Sequence, residues 1–513
     1  MTGVVAGWGA ESALGGPMAS NAGNEIQPDE VFRAEWVRVF ASHPPGEHEA
    51  IRTRNQAARA ADPRPNLLLV LTDQQTVDAM SCAGNPHVRT PFIDALARRG
   101  TRFTRSYCTA PICTPARASL MTGFTAHQTG ADYLNMAYRP GMKNLGERLQ
   151  EAGYDTTYLG KWHLPESHVK TSDGIPGFHN LPLPEGLLGT NLGDVTDMHL
   201  ATRAGHYLRW HAALSPKPWA MVLSLHNPHD ICHYCMPGDG MVAMPEPDPE
   251  FLVADSLPPL PPNHKADAGE PGLLQERRRE PKYAKEMGVK GPWSEAQWRA
   301  YLQTYYHMTQ SVDRCLQPVL AGLRAGGWAD STVVIFTSDH GEGMAAHEWV
   351  TKLSPYEEVL RVPMIVSAPG GVAEDPARGG RMDDRHLVSG LDVVPTLLDY
   401  AGVPVPEDLP GRSLRPLIES RPVEWRSEVV CEIALHPDKP EAHGRAVIGA
   451  DGWKFIRWSS GARPEQLFDL TNDPGETRNL AGAAEAAGPA ARLREALRHY
   501  AAETADAFPV PAA

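Results

Sequence analysis

The sequence predicts an α/β protein, a layered sheet flanked by helices, followed by a smaller C-terminal α+β subdomain. Two observations predict the sheet. Four short apolar runs each end in a cluster of polar residues, and helical patterns fill the intervals between them. A third observation predicts the subdomain: beyond Leu417 the long apolar runs give way to short alternating segments with turns between them. At 513 residues the chain is long enough to bury a large core and to form more than one domain.

Taken in order, residues 1–60 form an extension without a periodic core signal, apart from a predicted helix over 29–41, and carry no legible role. The run 66–72 is continuously apolar, as expected of a strand buried on both faces, and leads to Asp73-Gln74-Gln75. Phe92, Ile93, Leu96 and Ala97 have helical spacing and stop at Gly100; residues 145–152 repeat the pattern and stop at Gly153. The strand over 156–159 leads to Gly160-Lys161-Trp162-His163, and that over 219–225 to His226-Asn227-Pro228-His229. A long helical pattern over 295–323 precedes the strand over 332–337, which leads to Ser338-Asp339-His340-Gly341. Ligands of open α/β sheets bind at the carboxyl ends of strands, so these four distant clusters are expected to meet in one crevice.

Residues 231–292 interrupt the alternation with Pro258-Pro259-Leu260-Pro261-Pro262 and the charged run 276–280. They read as a solvated excursion, as a loop roofing the crevice, or as both. After Leu417, residues 447–448, 453–458 and 465–470 read as short strands, with Asp451-Gly452 as a hairpin turn and a closing helix over 490–504. The expected organisation is an extension over 1–60, a catalytic domain over 61–417 and a subdomain over 418–513.

The composition, 42% apolar and 21% charged, is that of an ordinary globular protein. A net charge of −14 argues against general attraction to nucleic acid or anionic membrane and leaves room only for a local basic pocket. No window approaches eighteen uninterrupted apolar residues, so no membrane span is expected. The first 24 residues lack a basic segment before an apolar core; no secretory signal is read, and a cytoplasmic setting is expected. Seven cysteines, an odd and sparse set, suit reduced thiols. Cys232-His233-Tyr234-Cys235 has the spacing of half a zinc site but no second pair, and reads as two unpaired thiols in a loop.

The stretch Pro111-Ile112-Cys113-Thr114-Pro115-Ala116-Arg117 concentrates chemistry. Thr114 and Pro115 read as a helix start, which places Cys113 just outside a helix N-terminus, where the dipole favours negative charge. Arg117, about one turn later, can fork onto a tetrahedral oxyanion. A bare Cys-x-Pro-x-Arg string equally describes a buried cysteine before an ordinary helix. Asp73, Gln74, Asp339 and His340 offer carboxylate, amide and imidazole ligands from two strand ends. Mostly oxygen donors suit Ca2+, and the imidazole leaves room for Mn2+. A single strand-end Asp more often caps a helix; the pair of motifs favours a metal.

The longer string C-T-P-A-R-A-S-L-M-T-G over 113–123 resembles the first signature of the type I sulfatases, which belong to the alkaline phosphatase superfamily. Gly153-Tyr-Asp-Thr-Thr-Tyr-Leu-Gly-Lys-Trp-His163 resembles the second signature, and Thr337-Ser-Asp-His-Gly-Glu342, with His347 and Lys352 downstream, resembles the second metal strand and its lysine. Residues 391–398 and 467–480 look like family segments of structural character. The resemblance spans roughly residues 65–481. It implies an alkaline-phosphatase-like α/β/α fold with a large mixed sheet. Cys113 would be oxidised to formylglycine by a maturation enzyme, and its hydrate would offer one hydroxyl, ionised by the metal, to attack sulfur and a second to expel sulfate. Arg117 and Lys161 would hold the hydrate, and His163 would take the second proton. His229 and Lys352 would bind sulfate and serve the leaving oxygen, with His226 ranked behind His229. Asp73, Gln74, Cys113, Asp339 and His340 would surround one divalent cation. The implied substrate is an organic sulfate or a sulfated carbohydrate.

Many sulfatases carry Asp where Gln74 stands and Asn where His340 stands, and the Asp-Gln and Asp-His pairs also resemble branches acting on phosphonate monoesters, phosphodiesters or choline sulfate. A phosphonate monoester hydrolase or phosphodiesterase on the same machinery is therefore the alternative. A silent sulfoglycan-binding relative is disfavoured, because every position named above holds a competent residue.

Overall fold

The computed structural model describes residues 45–164, 174–180, 192–235, 257–267, 269–279, 293–369, 380–435, 439 and 442–510. The helix expected over 29–41 and the last residue of the 276–280 run lie outside the described residues. The chain divides into two units, Met1–Glu49 and Ala50–Ala513, and the second contains everything below.

Eight strands form the large sheet: β1 Asn66–Asp73, β2 Thr101–Phe103, β4 Asp155–Gly160, β5 His179–Asn180, β6 Trp219–Pro228, β7 Thr332–Ser338, β8 Met364–Ser367 and β9 Arg381–Asp383. Between β2 and β4, β3 Ser106–Tyr107 pairs instead with β10 Val388–Ser389 in a small two-stranded sheet. The large sheet runs β5-β4-β6-β1-β7-β8-β2-β9. Its centre is parallel, β4 to β6 to β1 to β7, while β8 is antiparallel to both β7 and β2. The sheet is mixed, as expected.

The unbroken apolar run of β1 follows from burial on both faces. Leu67, Leu69 and Leu71 pack with Ala118, Leu120 and Met121 of helix Cys113–Thr122 and with Val393, Val394 and Leu397 of helix Val393–Tyr400. Leu68 and Val70 point the other way, against Leu200 of helix Gly193–His206 and Val312, Leu316 and Val319 of helix Glu295–Gly326. Each such side chain contributes about 1.5–3 kcal/mol on burial. The result is a three-layer α/β/α arrangement with the strand ends held rigidly between the helical layers.

The C-terminal segments form an antiparallel sheet of β11 Glu428–Ala434, β12 His443–Gly449, β13 Trp453–Trp458 and β14 Glu465–Asp469, in that order. The Asp451-Gly452 turn joins β12 to β13 as expected. Val447, Phe455 and Leu467 meet Leu493 and Leu497 of helix Ala487–Thr504. On the opposite face Ala446, Ile448, Ile456 and Trp458 join a cluster with Trp298, Tyr301 and Trp349. Lys454 is fully buried there, its Nζ 2.9 Å from Glu357 Oε1 and 2.7 Å from Glu476 Oε1. No helix among the described residues is long and apolar enough to cross a membrane.

Candidate active site

At the carboxyl end of β1 the register with β6 shifts between Leu71 and Asp73, and Gln74 turns away with φ 68°. Non-glycine residues seldom take this left-handed conformation. Two bonds hold it: the Gln74 N–H donates to Asp339 Oδ1 at 3.0 Å, and the Gln74 carbonyl accepts the Tyr305 hydroxyl at 2.7 Å. Just beyond the neighbouring strand β7, His340 Nδ1 lies 2.9 Å from the Gly341 carbonyl. A carbonyl only accepts, so Nδ1 carries a hydrogen, and Nε2 is the nitrogen left to face the site. That Nε2 is 3.2 Å from Cys113 Sγ. Side-chain donor atoms of Asp73, Cys113, Asp339 and His340 all lie within 4.8 Å of one another, and all four residues are buried.

Cys113 is the first residue of helix Cys113–Thr122, rather than lying just outside it. Ile112 takes the extended cap conformation and its carbonyl accepts the Ala116 N–H, so helix geometry begins one residue before the Thr-Pro signal. Thr114 is no cap; its hydroxyl donates to the His163 carbonyl at 3.1 Å. Arg117, one turn on, differs from the expected oxyanion fork. Its Nε donates to Asp339 Oδ2 and its Nη2 to Asp73 Oδ2, both at 2.8 Å, while Nη1 reaches the Lys161 carbonyl and Ser224 Oγ. The fork is spent on the two carboxylates and binds their strands to the cysteine helix.

Lys161 follows Gly160, whose φ is 101° and whose missing Cβ would fall 1.9 Å from the Ser224 carbonyl. Only glycine lets β4 close on β6 here, and the closure brings Lys161 Nζ to 2.6 Å from Asp73 Oδ2. Lys352 arrives on the loop after β7. The Leu353 N–H donates to the Pro111 carbonyl at 3.0 Å, pinning that loop to the cysteine stretch. Its Nζ then lies 3.0 Å from Gln74 Oε1 and 3.2 Å from Cys113 Sγ.

His163 and His229 both stand beside the Cys113 sulfur, which acts on each imidazole. His226 does not join them: its Nδ1 is 3.4 Å from Asp197 Oδ1, whose carboxylate also takes the backbone N–H groups of His226 and Asn227. His347 is also elsewhere, stacked on Tyr356 at 3.8 Å between ring centroids. Cys232 occupies helix Ile231–Cys235 rather than a loop, with its Sγ 3.2 Å from Gln74 Nε2.

Burial and Asp73 push the Cys113 thiol up, but Lys352, Lys161 and His340 outweigh them and hold it well below the usual thiol range. Burial, then Lys161 and Lys352, lower His229 to about 3; burial lowers His163 as well. Both imidazoles are therefore neutral near pH 7. Lys352 is raised despite burial, because Cys113, Cys232 and Asp73 surround it. Burial opposes ionisation of Asp73, yet Lys161, Arg117 and Lys352 keep it well below the carboxylate range; Asp339 rises to about 6 through burial and its neighbour Asp73. The site thus holds three cations, Arg117, Lys161 and Lys352, the neutral imidazoles of His163 and His229, and a crowded carboxylate pair around one sulfur atom.

Sequence reasoning missed Glu342, Tyr301 and Ser224. Glu342 closes the T-S-D-H-G-E string, and its position there was its only signal; Tyr301 and Ser224 carried none.

Comparison with known proteins agrees with this geometry. The Sulfatase family matches residues 65–403, and the C-terminal region of N-sulphoglucosamine sulphohydrolase matches residues 345–503. A Delta 4,5-hexuronate-2-O-sulfatase of Bacteroides thetaiotaomicron is 29% identical over 454 residues, covering 83% of this chain and 86% of that protein. The solved structure of a 2-O GAG sulfatase superposes with a TM-score of 0.73 at 27% identity, covering 88% of this chain and 95% of the other. A phosphonate monoester hydrolase of Agrobacterium radiobacter superposes with a TM-score of 0.68 at 25% identity, covering 86% and 96%. The layered fold is alkaline-phosphatase-like, as the resemblance implied. With two thirds of its length matched, this chain belongs to the sulfatase family and is a sulfuric ester hydrolase.

Proposed function

We propose that the chain hydrolyses sulfate esters of carbohydrates, with Cys113 converted to formylglycine and a divalent cation, Ca2+ foremost, held by Asp73, Gln74, Asp339 and His340. The observation that carries this reading is the position of Cys113 Sγ, 3.2 Å from both Lys352 Nζ and His340 Nε2 and within the buried donor cluster. The donor set fits the cation. Two carboxylates and an amide oxygen are hard ligands suited to Ca2+, while one imidazole nitrogen admits Mn2+. The names of the relatives, a hexuronate-2-O-sulfatase and a GAG sulfatase, support a sulfated carbohydrate as substrate.

A formylglycine hydrate at 113 would supply two hydroxyls on one carbon, one as nucleophile and one for release of sulfate, and a cation held by Asp73, Gln74, Asp339 and His340 would supply positive charge beside them. The chain's own residues do the rest. Arg117 and Lys161 keep Asp73 and Asp339 ionised and fixed in place. Lys352 Nζ, 3.2 Å from Cys113 Sγ, binds sulfate oxygens and offsets charge developing on the leaving oxygen. His229 is neutral in the free site; an entering anion opposes the lysines that depress it, so a ring nitrogen can hold a proton and give it to the leaving oxygen. His163 has a buried Nδ1 without a hydrogen-bond partner among the described residues, so the ring can take a proton from the side chain at 113. Conversion of Cys113 calls for a maturation enzyme that reads the C-T-P-A-R string.

The phosphonate monoester hydrolase reading is the second, favoured by the Asp-Gln and Asp-His pairs and by the Agrobacterium structure. Side-by-side kcat/KM values for a sulfated uronic acid glycoside, an aryl sulfate and an aryl phosphonate monoester test the two. Higher efficiency on the sulfates is expected; a phosphonate preferred to both would transfer the chain to the second reading.

A further inference from the structure

Glu342 is fully buried and touches both halves of the site. Its Oε1 accepts the Tyr301 hydroxyl, the Thr351 N–H and, at 3.0 Å, the Gly343 N–H. Its Oε2 accepts Gln74 Nε2 at 2.5 Å. Two peptide N–H groups cannot become acceptors, so the Oε1 side of this group is fixed as an acceptor. An amide that meets a carboxylate must present its NH2 group, and its oxygen then points the opposite way. For Gln74 the opposite way is towards Lys352 Nζ, 3.0 Å from Oε1, and so towards Cys113. The same carboxylate holds Thr351, the residue before Lys352.

We infer that Glu342 is a positioning residue that turns the Gln74 amide so that its oxygen, not its nitrogen, faces the cation position. It also accounts for an amide at 74, since a second carboxylate there would meet Glu342 as a like charge at contact distance. The inference rests on the reading of Gln74 as a cation ligand.

The test is E342Q, measured on purified full-length protein by chelator competition for Ca2+ and Mn2+, alongside kcat and KM. In E342Q the new carbonyl must stay with the Thr351 and Gly343 N–H groups, so the new NH2 faces Gln74 and forces its amide to flip. Cation affinity is expected to fall about ten- to a hundredfold, the usual cost of losing a group that orients a ligand. The double variant Q74E/E342Q is expected to recover most of that loss. There the carboxylate introduced at position 74 accepts from the amide introduced at position 342 and still presents an oxygen to the cation. Unchanged affinity in E342Q, or no recovery in the double variant, overturns the inference. If the parent protein binds no divalent cation, the reading of Gln74 fails first; if the parent binds and E342Q binds equally, only the role of Glu342 fails. Should E342Q not fold, Q74E alone decides. A ligand carboxylate ordinarily strengthens cation binding, but opposite Glu342 it should bring no gain, and a gain of about tenfold would overturn the inference.

Discussion

Lys352 Nζ lies 3.2 Å from Cys113 Sγ although the two residues are 239 positions apart in sequence. Lysines on loops are ordinarily solvated. This one is drawn in by Gln74 Oε1 and by the backbone bond from Leu353 to Pro111. If it offsets charge on the leaving oxygen, Lys352→Ala should slow substrates with poor leaving groups far more than activated aryl sulfates. The loss on poor leaving groups should be about a hundredfold, corresponding to roughly 3 kcal/mol. The dependence of kcat/KM on leaving-group pKa reads this out; a uniform loss would restrict Lys352 to sulfate binding.

Peptide mass spectrometry of protein produced with a maturation enzyme should show residue 113 without sulfur and with an added oxygen. Cys113→Ser retains one hydroxyl but has no second to expel sulfate, so turnover should fall by at least roughly 10^4-fold. A fully active enzyme carrying an unmodified thiol at 113 would sink the mechanism.

Chelation of divalent cations should abolish turnover while leaving the protein folded. Arg117 and Lys161 already pair Asp73 and Asp339, so removing a cation does not leave two bare buried carboxylates. Circular dichroism should stay native, and added Ca2+ or Mn2+ should restore activity. Recovery with only one of the two ions would identify the better fit.

Gly160→Ala should be severe for its size. The added Cβ would meet the Ser224 carbonyl at 1.9 Å in a left-handed backbone. The strands must separate or the turn must refold, at a cost of roughly 3 kcal/mol or more. Because Lys161 is the next residue, activity should fall further than stability alone explains. Urea unfolding and kcat on the folded fraction separate the two effects.

Glu432 makes acid stability testable away from the site. Its Oε1 lies 2.6 Å from His127 Nδ1 and accepts the Tyr500 hydroxyl, and its Oε2 accepts the His127 N–H at 2.9 Å. Burial opposes ionisation, but Arg445 and His127 prevail and lower the carboxyl from 4.5 to about 2. A depressed carboxyl stabilises the fold fully above its unfolded value and loses that contribution as pH falls through the folded one. The gap in unfolding free energy between the parent and Glu432→Gln should therefore shrink by roughly 3 kcal/mol between pH 5 and 2. A constant gap would contradict the assignment.

The sheet was legible because strands buried on both faces write themselves as unbroken apolar runs, as β1 does. The site was legible for the same reason: Asp73, Lys161, His229 and Asp339 follow directly on such runs, and parallel strands bring like ends together. What could not be read were partners chosen by tertiary contact. Nothing local tells that Arg117 will meet two carboxylates instead of an oxyanion, or that Glu342 will meet Gln74 across 268 positions. The Thr-Pro pair misplaced the helix start by two residues because Ile112, an apolar residue, supplies the cap by backbone conformation alone. Cys232 read as a loop thiol because a helix of five residues is too short to leave a periodic signal.

Lys454 gives the C-terminal sheet a consequence for any attempt to exchange parts between relatives. Its ammonium, carried on β13, is the counter-charge for Glu357 and Glu476, and Glu357 lies only five residues beyond Lys352. A chimera that imports a foreign C-terminal region without a cation at this place would leave Glu357 buried beside the lysine loop with only Arg361, 3.8 Å away, as counter-charge. The visible change of architecture after Leu417 is therefore not a seam. A transplant that keeps turnover must move β13 and the 353–358 turn together, as one inherited piece.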